Sequence, residues 1–209
     1  RWDDPNLRFV DLNGDGMADV LVAEDEVFSW YASRGKDGFA AAVRVGQSQD
    51  EEKGPRLLFA DGTQSIYLAD MSGDGLVDLV RIRSREVCYW PNLGYGRFGA
   101  KVVMDESPCF DLPGEFDQNR VRLADIDGSG TTDILYLGRD GISIHRNQSG
   151  NSFAAPIRLN QTPAIDSLRS FAAVDLLGNG TACLVFSSAS PADAHQPLRY
   201  IDITGGVKP

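Results

Sequence analysis

The sequence predicts an all-β chain, a β-propeller of four-stranded antiparallel blades, with about four blades in these 209 residues and the set forming part of a larger ring. Three observations carry that expectation. A nine-residue phrase occurs four times, as Asp11-Leu-Asn-Gly-Asp-Gly-Met-Ala-Asp19, Asp70-Met-Ser-Gly-Asp-Gly-Leu-Val-Asp78, Asp125-Ile-Asp-Gly-Ser-Gly-Thr-Thr-Asp133 and Asp175-Leu-Leu-Gly-Asn-Gly-Thr-Ala-Cys183, with starts 59, 55 and 50 residues apart (70−11, 125−70, 175−125). Between the copies run short segments rich in Val, Leu, Ile and aromatic residues, bounded by Asp, Asn and Gly turns. A Phe falls 28 residues after the first Asp in three copies (Phe39, Phe98, Phe153), and Ile203 holds that place in the fourth.

Taken in order, the first unit reads as a strand at 7–11, a turn over Asn13-Gly-Asp-Gly16, a strand at 18–23, a polar break at Glu24-Asp-Glu26, a strand at 27–32, a Gly-containing turn at 33–38 and a strand at 39–45. Trp30, Trp90 and His145 fall 19 or 20 residues after the first Asp; Asn92 and Asn147 stand at 22, where the first copy has Ser33. Fixed offsets over 28 residues mean equal strands and turns in each unit, roughly 7–46, 65–103, 120–159 and 170–204 of a single propeller region. Length variation is confined to the loops 46–65, 104–119 and 160–170. A four-stranded sheet cannot bury both faces alone, so successive blades must cover one another, and the repeated Phe suits the seam between them.

The phrase is also a pattern for a hard cation. Calcium takes six to eight oxygens from alternate positions of a tight loop. Copy one offers Asp11, Asn13, Asp15 and Asp19 with the carbonyl of Met17; copy two offers Asp70, Ser72, Asp74 and Asp78; copy three offers Asp125, Asp127, Ser129 and Asp133. An EF-hand needs a bidentate Glu at position twelve, where this chain has Val22, Arg81 and Tyr136. The bland alternative is a hairpin turn, since Asp and Asn bond their own backbone and glycine supplies positive φ. Copy four keeps Gly178 and Gly180 but has Leu177, Asn179 and Cys183 at ligand positions, so it is expected to turn without an ion. Any ion would be structural.

Composition excludes several classes. The hydrophobic fraction of 42% supports a buried core. A net charge of −10 disfavours nucleic acid, and nine of the 30 acidic residues lie in the first three copies, so one divalent ion in each would bring the charge to −4. No stretch is apolar enough for a membrane helix, so no direct membrane insertion is expected. Cys88, Cys109 and Cys183 form neither a disulfide framework nor a zinc pattern.

Beyond the phrase, which resembles the FG-GAP/VCBS repeat of integrin-like propellers, longer strings are more specific. Asp50-Glu-Glu-Lys-Gly-Pro-Arg56, Tyr67-Leu-Ala-Asp-Met-Ser-Gly-Asp-Gly75, Cys88-Tyr-Trp-Pro-Asn-Leu-Gly-Tyr-Gly-Arg-Phe98 and Leu123-Ala-Asp-Ile-Asp-Gly-Ser-Gly130 resemble the middle region of the B component of bacterial insecticidal toxin complexes; Salmonella virulence plasmid B-type proteins look similar. The resemblance implies a secreted, extracellular module. Its B component joins a C component to form a hollow Rhs-repeat shell around a cytotoxic segment. Its propeller, of six blades, closes one end of that shell, docks on the pore-forming A component and acts as the gate. The partners implied are thus the A component and the C component with its shell.

Other constellations are weaker. No nucleophile elbow, zincin or P-loop phrase is present, and the reading expects no catalytic activity. His145 is read as a packed or rim histidine, and Asp3-Asp4 and Asp50-Glu51-Glu52 as solvated loop charge. The alternative is an integrin-like adhesin or carbohydrate-binding propeller, for which Trp30 and Trp90 could be a stacking platform, although their regular offset favours the core. Asn147, Asn160 and Asn179 begin glycosylation-acceptor patterns.

Overall fold

The computed structural model describes residues 2–111, 114–159, 162–163, 165 and 167–203. Arg1, Asn160 and Gln161 of the third loop and Thr204 at the end of the fourth unit lie outside the described residues. The fold is all-β, with four blade-like antiparallel sheets in succession. β1 (Leu7–Val10), β2 (Asp19–Glu24), β3 (Val27–Tyr31) and β4 (Val43–Gly46) form the first. β5 (Ile66–Ala69), β6 (Asp78–Arg83), β7 (Glu86–Trp90) and β8 (Val102–Val103) form the second. The third is β9 (Val121–Ala124), β10 (Asp133–Gly138), β11 (Gly141–His145) and β14 (Ile157–Leu159), with the two-stranded ribbon β12 (Asn147–Gln148) and β13 (Ser152–Phe153) inserted before its last strand. The fourth is β15 (Phe171–Val174), β16 (Cys183–Ser187) and β17 (Leu198–Ile201). Helical structure among the described residues is confined to four single 3-10 turns.

Alternation explains how the sheets stack. In β6, Leu79 joins the core between blades one and two, while Val80 and Ile82 join the core between blades two and three. In β10, Ile134 and Tyr136 face blade two, and Leu135 and Leu137 face blade four. Side chains of a strand point to opposite faces, so a strand covered on both sides reads as one apolar run. The outer strands β4, β8 and β14 stay largely exposed.

Two elements differ from the expectation. The segment 39–45 is a strand only from Val43; Phe39 instead pairs with Ser33 across a small ribbon. Asn92 pairs with Phe98 and Asn147 with Phe153 in the same way, so the offsets 22 and 28 are the two partners of one cross-strand pair. The fourth sheet has three strands among the described residues. Its third-strand slot holds Pro191, which fixes φ and lacks an N–H; a 3-10 turn Pro191–Asp193 forms instead and the next strand starts only at Leu198.

The Phe at offset 28 lies on the seam with the preceding blade. Phe98 meets Phe28 edge-on at 5.5 Å, and Phe153 is buried against blade two. Phe39, with no preceding blade among these residues, is 36% exposed and packs on Trp2.

Candidate functional site

The repeated loops are built around two carboxylates with different tasks. The Asp at position one gathers the turn. Gly14 and Gly16 donate their N–H groups to the two oxygens of Asp11 at 2.7 Å each; Gly73 and Gly75 do the same to Asp70, Gly128 and Gly130 to Asp125, and Gly178 and Gly180 to Asp175. Burial acts upward on the Asp11 carboxyl, but the amides of Gly16, Gly14 and Asn13 outweigh it and hold it below the ordinary carboxylate range. The Gly180 amide, with those of Asn179 and Gly178, lowers Asp175 likewise.

The Asp at position nine is fully buried and ties the loop to the ribbon. Asp19 accepts from Leu12 N, Trp30 Nε1 and Ser33 N; Asp78 from Met71 N, Ser72 N and Asn92 N; Asp133 from Ile126 N and Asn147 N. In all three the residue at offset 22 donates its backbone N–H, at 2.7–2.8 Å. In copy four position nine is the buried Cys183, and the displaced β17 carries offset 22 away from it: Pro197 lies at the far end of β16, where its carbonyl accepts from Ser188 N. A small apolar side chain suits that buried seat because it asks for no hydrogen-bond donors. Burial pushes Asp78 and Asp133 up to about 6.

The loops also interlock from blade to blade. The glycine at position four turns with φ of 76°, 81° and 75° at Gly14, Gly73 and Gly128, and the side chain at position seven of the next copy closes on it. A Cβ on Gly73 would sit 2.8 Å from Thr131 Cγ2; on Gly14, 3.1 Å from Leu76; on Gly128, 3.1 Å from Thr181. Thr132 N donates to the Asp70 carbonyl and Ala182 N to the Asp125 carbonyl, 2.8 Å each, joining position eight of one copy to position one of the copy before. Asn92 Nδ2 reaches the Leu12 carbonyl at 3.2 Å and Asn147 Nδ2 the Met71 carbonyl at 2.9 Å. Copy four therefore has a reason to keep its turn without the ligand set: Thr181 and Ala182 serve copy three.

The remaining expected ligands behave unevenly. Asn13 and Asp15 bond each other, and Asp15 also accepts from Met17 N, whose side chain is exposed. Asp74 accepts from Leu76 N, and the Ser72 hydroxyl reaches Asp70 at 3.5 Å. Ser129 pairs with Thr131 through its hydroxyl. Only in copy three, among the described residues, do three carboxylates converge: Asp125, Asp127 and Asp133 offer oxygens within 4.8 Å of one another. This donor set is the one that fits a hard cation: Asp125 Oδ1 already accepts the amides of Gly128 and Ser129, but Asp125 Oδ2, Asp127 Oδ1 and both Asp133 oxygens accept one amide each and keep a second lone pair. Arg146 competes for it, at 3.8 Å from Asp127.

The acidic run 50–52 is not simply solvated. Glu51 takes Arg81 through both oxygens, at 3.0 and 3.1 Å; its carbonyl accepts from Trp90 Nε1, and Lys101 bonds Glu52. Arg81 also pairs with Glu86 and lies over the Trp90 ring. The signal missed in the sequence is Arg81, set between Val80 and Ile82 in the apolar run of β6, a charge that burial obliges to find a partner. Trp30 and Trp90 are buried, so neither is a stacking platform.

Fold and loops together make a propeller-type array of blade-like sheets joined by repeated Asp-Gly loops. The FG-GAP-like repeat profile itself matches residues 11–81, the span of the first two copies. No curated protein sequence matches the chain. Among solved structures, the Photorhabdus luminescens Tc holotoxin pore (carrying the TccC3-D651A mutation) is 31% identical with a TM-score of 0.71, over 95% of this chain and 9% of that one. The TcdB2-TccC3-Cdc42 complex is 19% identical with a TM-score of 0.60, over 94% of this chain and 14% of that one. An Agrocybe aegerita lectin, solved for its recognition of non-reducing terminal N-acetylglucosamine, is 20% identical with a TM-score of 0.61, over 85% and 44%. The last two share the fold. The chain spans less than a tenth of the holotoxin chain and is similar, over nearly its whole length here, to a propeller-type region of a Tc toxin complex.

Proposed function

We propose that this chain is a non-catalytic propeller region of a toxin-complex B component. In this reading it closes the toxin-enclosing shell formed with the C component and docks on the pore-forming A component as the gate for translocation from a secreted complex. The observation that supports it is the 31% identity to the Tc holotoxin pore across 95% of the chain. The interlocked loops suit such a role, because hydrogen bonds and glycine contacts from blade to blade make a stiff wall rather than an open reaction site. The variable loops 46–65 and 104–119 are the proposed partner footprint. The test is capture: the full-length parent, with every blade present, should retain the pore-forming component of its complex. No retention by that intact protein would overturn the docking role.

For the loops, the proposed ion is a structural calcium at Asp125, Asp127 and Asp133, where the carboxylates converge. Such an ion would tie the hairpin rather than take part in a reaction.

A further inference from the structure

The register of blade three sets Tyr136, Ser143 and Arg158 side by side across β10, β11 and β14, and His145 follows two residues along on the same face. Opposite stands the loop that follows β8. It is fixed to blade two, since the Ser107 hydroxyl accepts from Val87 N and the Pro108 carbonyl from Arg85 N. Phe110 from this loop meets His145 edge-on at 5.5 Å and Tyr136 at 4.7 Å. Between the two walls lies a cleft of about 530 Å³, within the range of small-molecule sites.

Its polar groups are unevenly satisfied. His145 is only 6% exposed, and one ring nitrogen lies 3.1 Å from the Ser143 hydroxyl. The other has no hydrogen bond among the described residues. Burial, with the charge of Arg158, lowers its pKa to about 4, so at neutral pH the ring is an uncharged donor and acceptor. Arg158 stands at the mouth, and among the described residues no carboxylate lies within ion-pair distance of it, whereas its neighbour Arg139 is held by Glu115 at 3.3 Å. Asp111 accepts from the Tyr136 hydroxyl at 2.7 Å through one oxygen and keeps the other. Glu106 on the rim is held at φ 54°, a strained backbone of the kind found at ligand clamps.

From this juxtaposition we infer that the cleft binds a saccharide bearing a carboxylate, of the uronic acid class. Arg158 receives the carboxylate, His145 a ring hydroxyl, and Phe110 the C–H face of the sugar. The other classes match less. Inorganic phosphate would meet the carboxylates of Glu106, Asp111 and Asp140 without ring hydroxyls to pair with them. An apolar ligand would strand the guanidinium and the imidazole. A sugar acid gives the carboxylates hydroxyl donors and the guanidinium its anion. The inference does not depend on the toxin-complex reading.

The test is a titration of the ¹⁵N-labelled chain with D-glucuronate, D-glucose and acetate, followed by amide shifts. Glucuronate should give saturable shifts at 106–111, 142–145 and 154–158. Glucose should bind at least about ten-fold more weakly, as expected for loss of a charge-assisted pair. Acetate, without the ring, should not saturate. Arg158→Gln, at an exposed position, should bring glucuronate down to the level of glucose and leave glucose unchanged; His145→Phe should weaken both. Absent or misplaced shifts, glucose or acetate equal to glucuronate, or an Arg158→Gln chain with undiminished affinity would overturn the assignment.

Discussion

Replacing Asn147 by Ala should uncouple the second and third blades. Its side chain is buried, donates from Nδ2 to the Met71 and Thr132 carbonyls at 2.9 and 3.1 Å, and accepts from Gly150 N at 2.8 Å. Removing it leaves at least the Met71 carbonyl and the Gly150 N–H without these partners. At about 1–3 kcal/mol for each orphaned buried group, the two together cost about 2–6 kcal/mol, centred on about 4 kcal/mol. For a chain of this length the central value corresponds to a fall in Tm of about 8–16 °C. Urea unfolding followed by fluorescence, with hydrogen exchange read blade by blade, measures both the loss and its place. Because each blade touches only its neighbours, the amides of blade three should lose protection with those of blade two, and the m-value should drop as the array comes apart in steps. Asn147→Asp separates bonding from packing: it keeps the size but turns an acceptor toward two carbonyls, so it should cost at least as much as Ala. A loss under about 0.5 kcal/mol for Ala, the range of an ordinary surface change, would refute the reasoning. So would an Asp variant as stable as the parent.

The other predictions concern the loops. Gly73→Ala should cost more than Gly75→Ala in thermal unfolding: both sit at φ above 80° and carry the left-handed penalty of about 1 kcal/mol, but only Gly73 meets Thr131 at 2.8 Å. Cys183→Asp should destabilise by about 2 kcal/mol or more, because it puts a carboxyl in a buried seat held by a small apolar side chain, and Cys183→Ala, which adds no charge, should cost less. Asp78 and Asp133 should titrate near 6 by carboxyl NMR. Since the unfolded value is about 3.9, the folded chain holds more protons between the two, so their contribution to stability is greatest at or below pH 4 and is lost as pH rises to about 6; midpoints below 4 would contradict the burial argument. Calorimetry of the EDTA-treated chain with calcium should give heat that Asp127→Ala abolishes and Asp15→Ala leaves intact; no heat from the parent chain would leave the third loop closed by amides alone.

How far the sequence carried the fold can be judged at particular residues. The repeat phase placed β1 to β3 of the first blade within a residue or so, because a strand shows its alternation locally and the Asp-Gly turns punctuate it. It lost the start of β4, because a paired ribbon and a strand end carry the same Phe. It misplaced the third strand of blade four, which starts at Leu198 because Pro191 breaks the earlier slot. Cys88 in the core and the burial of Trp30 and Trp90 followed from the pattern.

The sequence by itself determined the period, the strand-and-turn content and the residues at each fixed offset, since these depend on neighbours a few positions away. Only the tertiary structure decided what those residues face. Asp19, Asp78 and Asp133 turn inward onto amides at offset 22, Asn147 reaches a carbonyl 76 residues earlier, and Thr131 seats on Gly73 of the blade before. The physical reason is that a carboxylate serves an amide or a cation equally well. Which it meets depends on atoms brought close by stacking sheets, and spacing along the chain does not carry that information.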